Sequence, residues 1–228
     1  MLGDRGPRGA DPCDVDHVTT ESTTPSTVSV ADAYPPPEIA ARVCKVGLAK
    51  VSTPLSTMVG LAVLAGAFIS LGALFYTVTV TTGPGAAAPP FGLLRLAGGL
   101  TFSLGLVLVV VGGAELFTGN NLIAMAWAAG CVQTHQVVRN WCWVYLGNLL
   151  GAVGTAALVW SAGVQTLGDG AVGETLVKIA RSKIALDPVQ AVARGILCHV
   201  LVCLAVWLCM GARSVAAKIL AIVLPISA

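Results

Sequence analysis

Long apolar runs separated by short polar breaks dominate the chain from residue 54 onward. A hydrocarbon core of about 30 Å takes about 20 helical residues to cross. Four runs reach that length, at residues 54–80, 91–111, about 140–162 and about 189–210. The pattern therefore predicts an all-α protein with four membrane-spanning helices.

Two further apolar runs, residues 122–130 and 216–228, are too short to cross alone. The first follows the polar stretch GGAELFTGNN at 112–121, where Glu115 is the only acidic residue between Glu38 and Asp169. Irregular backbone survives at membrane depth only where it is buried in protein or lines a water-filled cavity. We interpret 91–130 as one crossing made of two half-helices around an unwound loop. The alternative is a complete helix, an exposed turn that leaves Glu115 at the surface, and a short helix that dips back into the membrane.

The first fifty residues differ from the rest. Residues 1–36 are rich in Ser, Thr and Pro and poor in large apolar side chains, which predicts a disordered N-terminal tail. Residues 37–53 have the pattern of a weak amphipathic helix that leads into the membrane, and residues 54–228 form the transmembrane domain.

Composition supports a multi-pass integral membrane protein, with 56% hydrophobic and 11% charged residues. A net charge of +2 without a basic block gives no indication of a nucleic-acid partner, and we expect none. We expect no enzyme, because GxSxG and HExxH patterns are absent and the three histidines lie on different segments. Nothing in the sequence calls for a metal or another cofactor.

The distribution of basic residues predicts the topology. With the N-terminus inside, six basic residues fall on the inner side and three on the outer loop after the third span. This excess favours a cytoplasmic N-terminus, although it does not identify the membrane. The inner residues are Arg42, Lys45, Lys50, Arg139, Arg213 and Lys218, and the outer ones are Lys178, Arg181 and Lys183.

Three segments together resemble the formate/nitrite transporter family of pentameric anion channels. They are GGAELFTGNN, VRNWCWVYLGNLLGA at 138–152 and ARGILCHVLVCLAVWL at 193–208, in the family's order and spacing. The resemblance implies an aquaporin-like bundle of inverted three-helix repeats, with helices 2 and 5 broken. It also implies a homopentamer that passes small monovalent anions such as formate or nitrite, a passage that in the family is often coupled to protons.

The resemblance also suggests which residues line the anion path. Leu116, Phe117 and Thr118 match the polar loop of helix 2, with Thr118 at the selectivity region. Phe102 and Leu106 match apolar constrictions, although two apolar residues four apart on a membrane helix also fit simple packing.

Charged and polar matches complete the predicted site. Glu115 and Lys183 occupy positions where the family has a carboxylate and a lysine near the pore. We expect Glu115 to structure the loop together with Asn120 and Asn121, bonded to the loop's own backbone amides, because a buried carboxylate needs partners. Lys183 either draws anions to an outer vestibule or is an ordinary solvated charge.

The sequence departs from the family pattern in two places. His199 stands where the family commonly has Asn, and it either packs between helices or protonates a permeating anion. The final run, KILAIVLPISA, resembles the first half of the broken helix 5. Relative to the family, the second half of helix 5 and helix 6 are then lacking.

Two function classes follow from this departure. The first is a channel protomer for small monovalent anions, and the alternative is a non-conducting subunit that assembles with longer relatives. We expect residues 1–228 alone to insert into membranes without giving selective anion flux.

Overall fold

A computed structural model of the protein describes residues 33–85, 87 and 89–228, so most of the predicted tail at 1–36 lies outside the described residues. Nine α-helices lie within the described part of the chain. They are α1 Pro36–Ser52, α2 Leu55–Val80, α3 Phe91–Gly112, α4 Phe117–Asn120, α5 Ile123–Ala128, α6 Thr134–Ser161, α7 Ala171–Ile184, α8 Pro188–Gly211 and α9 Val215–Ser227.

The four predicted spans are confirmed as helices α2, α3, α6 and α8, each long and apolar enough to cross a membrane. Helix α6 begins at Thr134, earlier than predicted. Gln133 and Gln136 form a capping box there, which satisfies backbone groups at the helix start and carries the helix beyond the apolar run. Helix α7 occupies a segment that was expected to be only an outer loop, so that expectation was wrong in its secondary structure.

The polar stretch interrupts the helical path as expected. Helix α3 ends at Gly112, and Gly113 adopts the left-handed conformation (φ 76°) that closes many helix C-termini. Residues 113–116 are non-helical, and the short helices α4 and α5 follow. With 22 residues α3 is long enough to cross by itself, so length alone does not place the interruption at mid-membrane.

Helix α2 lies between α3 and α6, and glycines allow close approach on both sides. A Cβ added to Gly72 would come within 2.8 Å of the Gly105 backbone nitrogen on α3. A Cβ added to Gly147 on α6 would lie 2.5 Å from the Ala62 Cβ. Small residues are the usual means of close helix packing in membranes, where apolar burial gives little driving force between helices.

A second packed region joins α3, α8 and α9. Ile222 of α9 is fully buried and belongs to the same cluster as Leu106 of α3 and Ala205 and Cys209 of α8. Large apolar side chains remain exposed on the outer faces of α6 and α8, including Leu150 and Leu197. This distribution is that of a bundle surrounded by lipid or by other protein rather than by water.

Candidate functional site

Glu115, in the interruption after α3, is buried and paired with a lysine from α1. Its Oε1 accepts a hydrogen bond from Lys50 Nζ at 2.7 Å, and its Oε2 accepts one from Asn120 Nδ2, also at 2.7 Å. The carboxylate was expected to bind backbone amides of its own loop, and that expectation was wrong, because its partners are a lysine of α1 and the side-chain amide of Asn120. A lysine sixty-five residues away neutralises the charge, which reduces the cost of burying it.

Asn140 of α6 extends this pair into a network. Asn120 Nδ2 also donates to Asn140 Oδ1 at 2.9 Å, and Asn140 Nδ2 lies 3.4 Å from the Lys50 carbonyl oxygen. Trp141 Nε1 donates to the Asn120 carbonyl at 3.1 Å. The lysine–carboxylate–asparagine network therefore ties α1, α4 and α6 together around the interruption.

Asn148, two turns further along α6, supports the non-helical backbone itself. Its Oδ1 accepts from the Phe117 amide at 2.9 Å, and its Nδ2 donates to the Glu115 carbonyl at 2.9 Å and to the Ala62 carbonyl at 2.8 Å. The Glu115 amide donates to the Leu61 carbonyl of α2 at 3.2 Å. Neighbouring helices thus satisfy backbone groups that the interruption releases, as a non-aqueous environment requires.

Helix α1 is held in place by close packing on α5. Cys44 is buried in a cluster with Ile123 and Ala126, and this burial raises the pKa of the Cys44 thiol. A Cβ added to Gly47 would lie 3.1 Å from the Ala126 Cβ. This contact fixes the position of α1 and therefore the position of the Lys50 ammonium.

A cavity of about 230 Å³ lies beside the network, between α1, α3, the interruption and α8. Lys50 and Asn120 contribute polar groups, and Leu106 and Leu116 belong to its mainly apolar wall. The remaining lining residues are Val43, Val46, Val109, Val110, Gly113, Ala114, Gly119, Leu122, Ile123, Val206 and Met210. Such a chamber can hold a small molecule next to one neutralised ion pair.

An aromatic cluster lies next to the network. The Phe117 ring makes edge contacts with Tyr145 at 5.5 Å, His199 at 6.2 Å and Trp141 at 6.3 Å between centroids. The His199 Nδ1 lies 2.8 Å from the Gly195 carbonyl in the preceding turn of α8. His199 and Asn121 also line one surface groove.

Three other predicted site residues, Phe102, Thr118 and Lys183, do not line the cavity beside the network. Phe102, one turn before Leu106 on α3, contacts the Tyr76 ring edge-on at 6.5 Å. The Thr118 carbonyl lies 3.5 Å from Cys203 Sγ of α8. Lys183 is exposed on α7. The structure therefore brings Leu106, Leu116 and Asn120 to one cavity and Phe117 to His199.

Sequence reasoning missed three residues of the network: Lys50, Asn140 and Asn148. The two asparagines carried a usable signal, because uncharged polar side chains within an apolar span seldom face lipid. Lys50 carried none, because one basic residue at the end of an amphipathic helix looks like an ordinary interfacial charge.

The fold and site define an integral membrane protein in which a helix is interrupted at a buried polar network beside an apolar cavity. The family model described as formate/nitrite transporter matches residues 37–228. The chain therefore belongs to the formate/nitrite transporter family, which confirms the family expected from the three sequence segments.

Characterised relatives agree with this assignment. The chain is 42% identical to the formate channel FocA of Haemophilus influenzae over 172 residues, and 43% identical to that of Escherichia coli K12 over 174 residues. These alignments cover 75% and 76% of this chain but 59% and 60% of the relatives' own length. The chain thus spans about 60% of those channels. Since the family consists of transporters, the expectation that the chain is not an enzyme is also confirmed.

Two solved structures are similar in fold. A pentameric formate channel with formate bound superposes with a TM-score of 0.69 at 41% identity, over 76% of this chain and 67% of that channel. An FNT family ion channel gives a TM-score of 0.70 at 26% identity, over 84% of this chain and 74% of that one.

Proposed function

We propose that this chain forms pore-lining structure of a membrane channel for small monovalent anions, with formate and nitrite as the leading substrates. The observation that carries the proposal is the cavity at the helix interruption, where Lys50 and Asn120 meet an apolar wall. The relatives named as formate channels supply the substrate class. The solved channel described as pentameric supports a homopentamer as the assembly.

The chemistry of the cavity suits a small weak-acid anion. Leu106 and Leu116 oppose a fully hydrated ion, because apolar constrictions favour dewetting. Lys50 offers a positive charge, yet Glu115 lies 2.7 Å from it and cancels most of the long-range field. The chamber therefore provides local polarity with little net charge, which favours a partly dehydrated monovalent anion or its neutral acid over a multivalent ion.

The finer architecture follows as part of the same proposal. Helices α2, α3–α5 and α6 correspond to the first repeat of an aquaporin-like pair of inverted repeats, and α8 and α9 to the start of the second. Residues 37–53 lead into this transmembrane domain from a cytoplasmic N-terminus. His199, in edge contact with Phe117, is the candidate group for proton coupling.

A fusion tests the function directly. The 228 residues are joined to the parts of the E. coli formate channel that lie outside the aligned region, and both the fusion and the unextended chain are reconstituted in vesicles. We expect saturable formate uptake, competed by nitrite, from the fusion. The unextended chain should insert without selective flux.

An assembled fusion that passes neither anion would overturn the channel proposal. It would favour the alternative of a non-conducting subunit that joins longer relatives. Measuring assembly by size exclusion on the same samples separates a folding failure of the fusion from a genuine loss of transport.

A further inference from the structure

Helix α6 has two opposite faces of different character. One face packs on α2 through Gly147 and Gly151, where an added Cβ would meet the α2 backbone or Ala62. The other face carries large apolar side chains with 42–71% of their surface exposed. We call these residues the outer stripe: Trp143, Leu146, Leu150, Val153 and Trp160.

Tryptophans stand at both ends of the outer stripe. Trp143 and Trp160 are seventeen residues apart, which corresponds to about 25 Å along a helix axis. The hydrocarbon core of a bilayer is about 30 Å thick, and indole rings prefer its two boundaries with the headgroups. Arg139 lies exposed one turn before Trp143, and α6 carries no charged residue after it. A basic residue that lies farther from the membrane core than a neighbouring tryptophan is typical of a membrane boundary.

We propose that the outer stripe faces lipid acyl chains, with Trp143 and Trp160 at the two headgroup levels. The composition of the two faces argues against a second copy as the occupant. Helices that pack in membranes approach through small residues, and α6 places Gly147 and Gly151 on the face that packs on α2. The outer stripe instead carries bulky side chains, at Leu146, Leu150 and Val153. These keep the backbone of a neighbouring helix at a distance, whereas flexible lipid acyl chains can pack between them.

With Trp143 and Trp160 at the two headgroup levels, the position of a residue along α6 gives its depth in the membrane. We call this relation the depth scale, and it applies to the polar network through the α6 residues that belong to it. Asn148, which binds the Glu115 carbonyl and the Phe117 amide, lies five residues inside Trp143 and twelve from Trp160. The interruption is then about 8 Å below one headgroup level, off the membrane centre. Tilting the helix shortens the depth of Asn148 below Trp143 and its depth below Trp160 by the same factor. The ratio of these two depths therefore does not change.

Asn140, at the other end of the network, lies three residues outside Trp143. The Lys50–Glu115 pair therefore lies near the headgroup boundary rather than at mid-membrane. Residual water there explains how the chain tolerates a lysine whose side chain is 23% exposed and a carboxylate that is 8% exposed. The inference depends on membrane insertion alone and not on anion transport.

Fluorescence quenching by brominated lipids tests the proposal on the full chain in phosphatidylcholine vesicles. Comparison of the parent with Trp143→Phe and Trp160→Phe isolates the emission of each tryptophan. We expect bromine near the headgroup to quench each of them more strongly than bromine deep in the acyl chains, because indole rings prefer the headgroup boundary. Leu150→Trp adds a reporter that should show the reverse preference. Trp141, half-buried and bonded to Asn120, is the control and should respond to neither lipid.

Two outcomes would overturn the proposal. If Trp143, Trp160 and the added Trp at 150 were all insensitive to bromine, another protein chain would cover the stripe. If deep bromine quenched Trp143 or Trp160 as strongly as shallow bromine, the depth scale would be wrong. A second comparison avoids fluorescence: Leu150→Arg should lower the yield of folded protein, whereas Trp160→Arg should retain it because arginine reaches the headgroups there.

Discussion

At the scale of single residues, the Lys50–Glu115 pair combines burial with opposite charge. Removing one partner leaves the other charge buried without compensation, whereas removing both leaves only neutral groups. Lys50→Met should therefore destabilise the protein by up to about 3 kcal/mol, less than a fully buried pair would lose because Lys50 is partly exposed. Lys45→Met, at an exposed position of the same helix, should change stability by less than about 0.5 kcal/mol.

Thermal unfolding in detergent measures both variants, and Glu115→Ala should behave like Lys50→Met. Glu115→Ala should lower the amount of folded, assembled protein before it alters anion preference. Well-assembled Glu115→Ala protein with changed selectivity would instead assign the carboxylate to substrate binding.

Thr118, in α4, provides the corresponding test of the anion path. Thr118→Val keeps the side-chain shape and removes only the hydroxyl donor and acceptor. If that hydroxyl replaces part of an anion's hydration, formate uptake by the fusion should fall several-fold with unchanged assembly, as a lost bond of about 1–2 kcal/mol implies. Equal uptake at matched protein levels would remove Thr118 from the path.

At the scale of elements, glycines on one side of α6 determine how closely it packs on α2. A Cβ at Gly151 would meet the Val63 carbonyl oxygen, whereas one at Gly154, three residues further along the same helix, would meet nothing within 4 Å. Alanine is favoured over glycine in a helix by about 1 kcal/mol where space allows. Gly151→Ala should therefore lower the unfolding temperature, and Gly154→Ala should keep or raise it. Equal effects of the two substitutions would mean that the α2–α6 contact is looser than the structure indicates.

At the scale of the whole molecule, charge placement predicts the orientation in the membrane. Arg42 and Arg213 both lie against the Tyr34 ring, so basic residues of α1 and of the α8–α9 junction meet at one end. Lys178, Arg181 and Lys183 all lie on α7. With the first group cytoplasmic, a membrane-impermeant maleimide added to intact cells should label Lys183→Cys and not Lys45→Cys, each measured against the parent chain. The opposite labelling would invert the orientation.

Local pattern was enough to predict much of this protein. The spans α2, α3, α6 and α8 and the break after Gly112 were predictable because membrane helices must be apolar over a fixed length. The order and spacing of the three sequence segments were enough to predict the family. Helix α7 was missed although its apolar and charged residues follow a helical period, because it is too short and too charged to be a membrane span and was treated only as a loop between spans.

The long-range partners of Glu115 were decided only by the tertiary structure. Lys50 is separated from it by sixty-five residues, and Asn148, which binds the Glu115 carbonyl, belongs to another helix. Asn140, also on that helix, is linked to the carboxylate through Asn120. Hydropathy describes how each helix meets the membrane, but it contains no information on which helices lie next to one another. The glycine contacts of α2 with α3 and α6 set those neighbours, and through them the Lys50–Glu115–Asn120–Asn140 network and the cavity beside it.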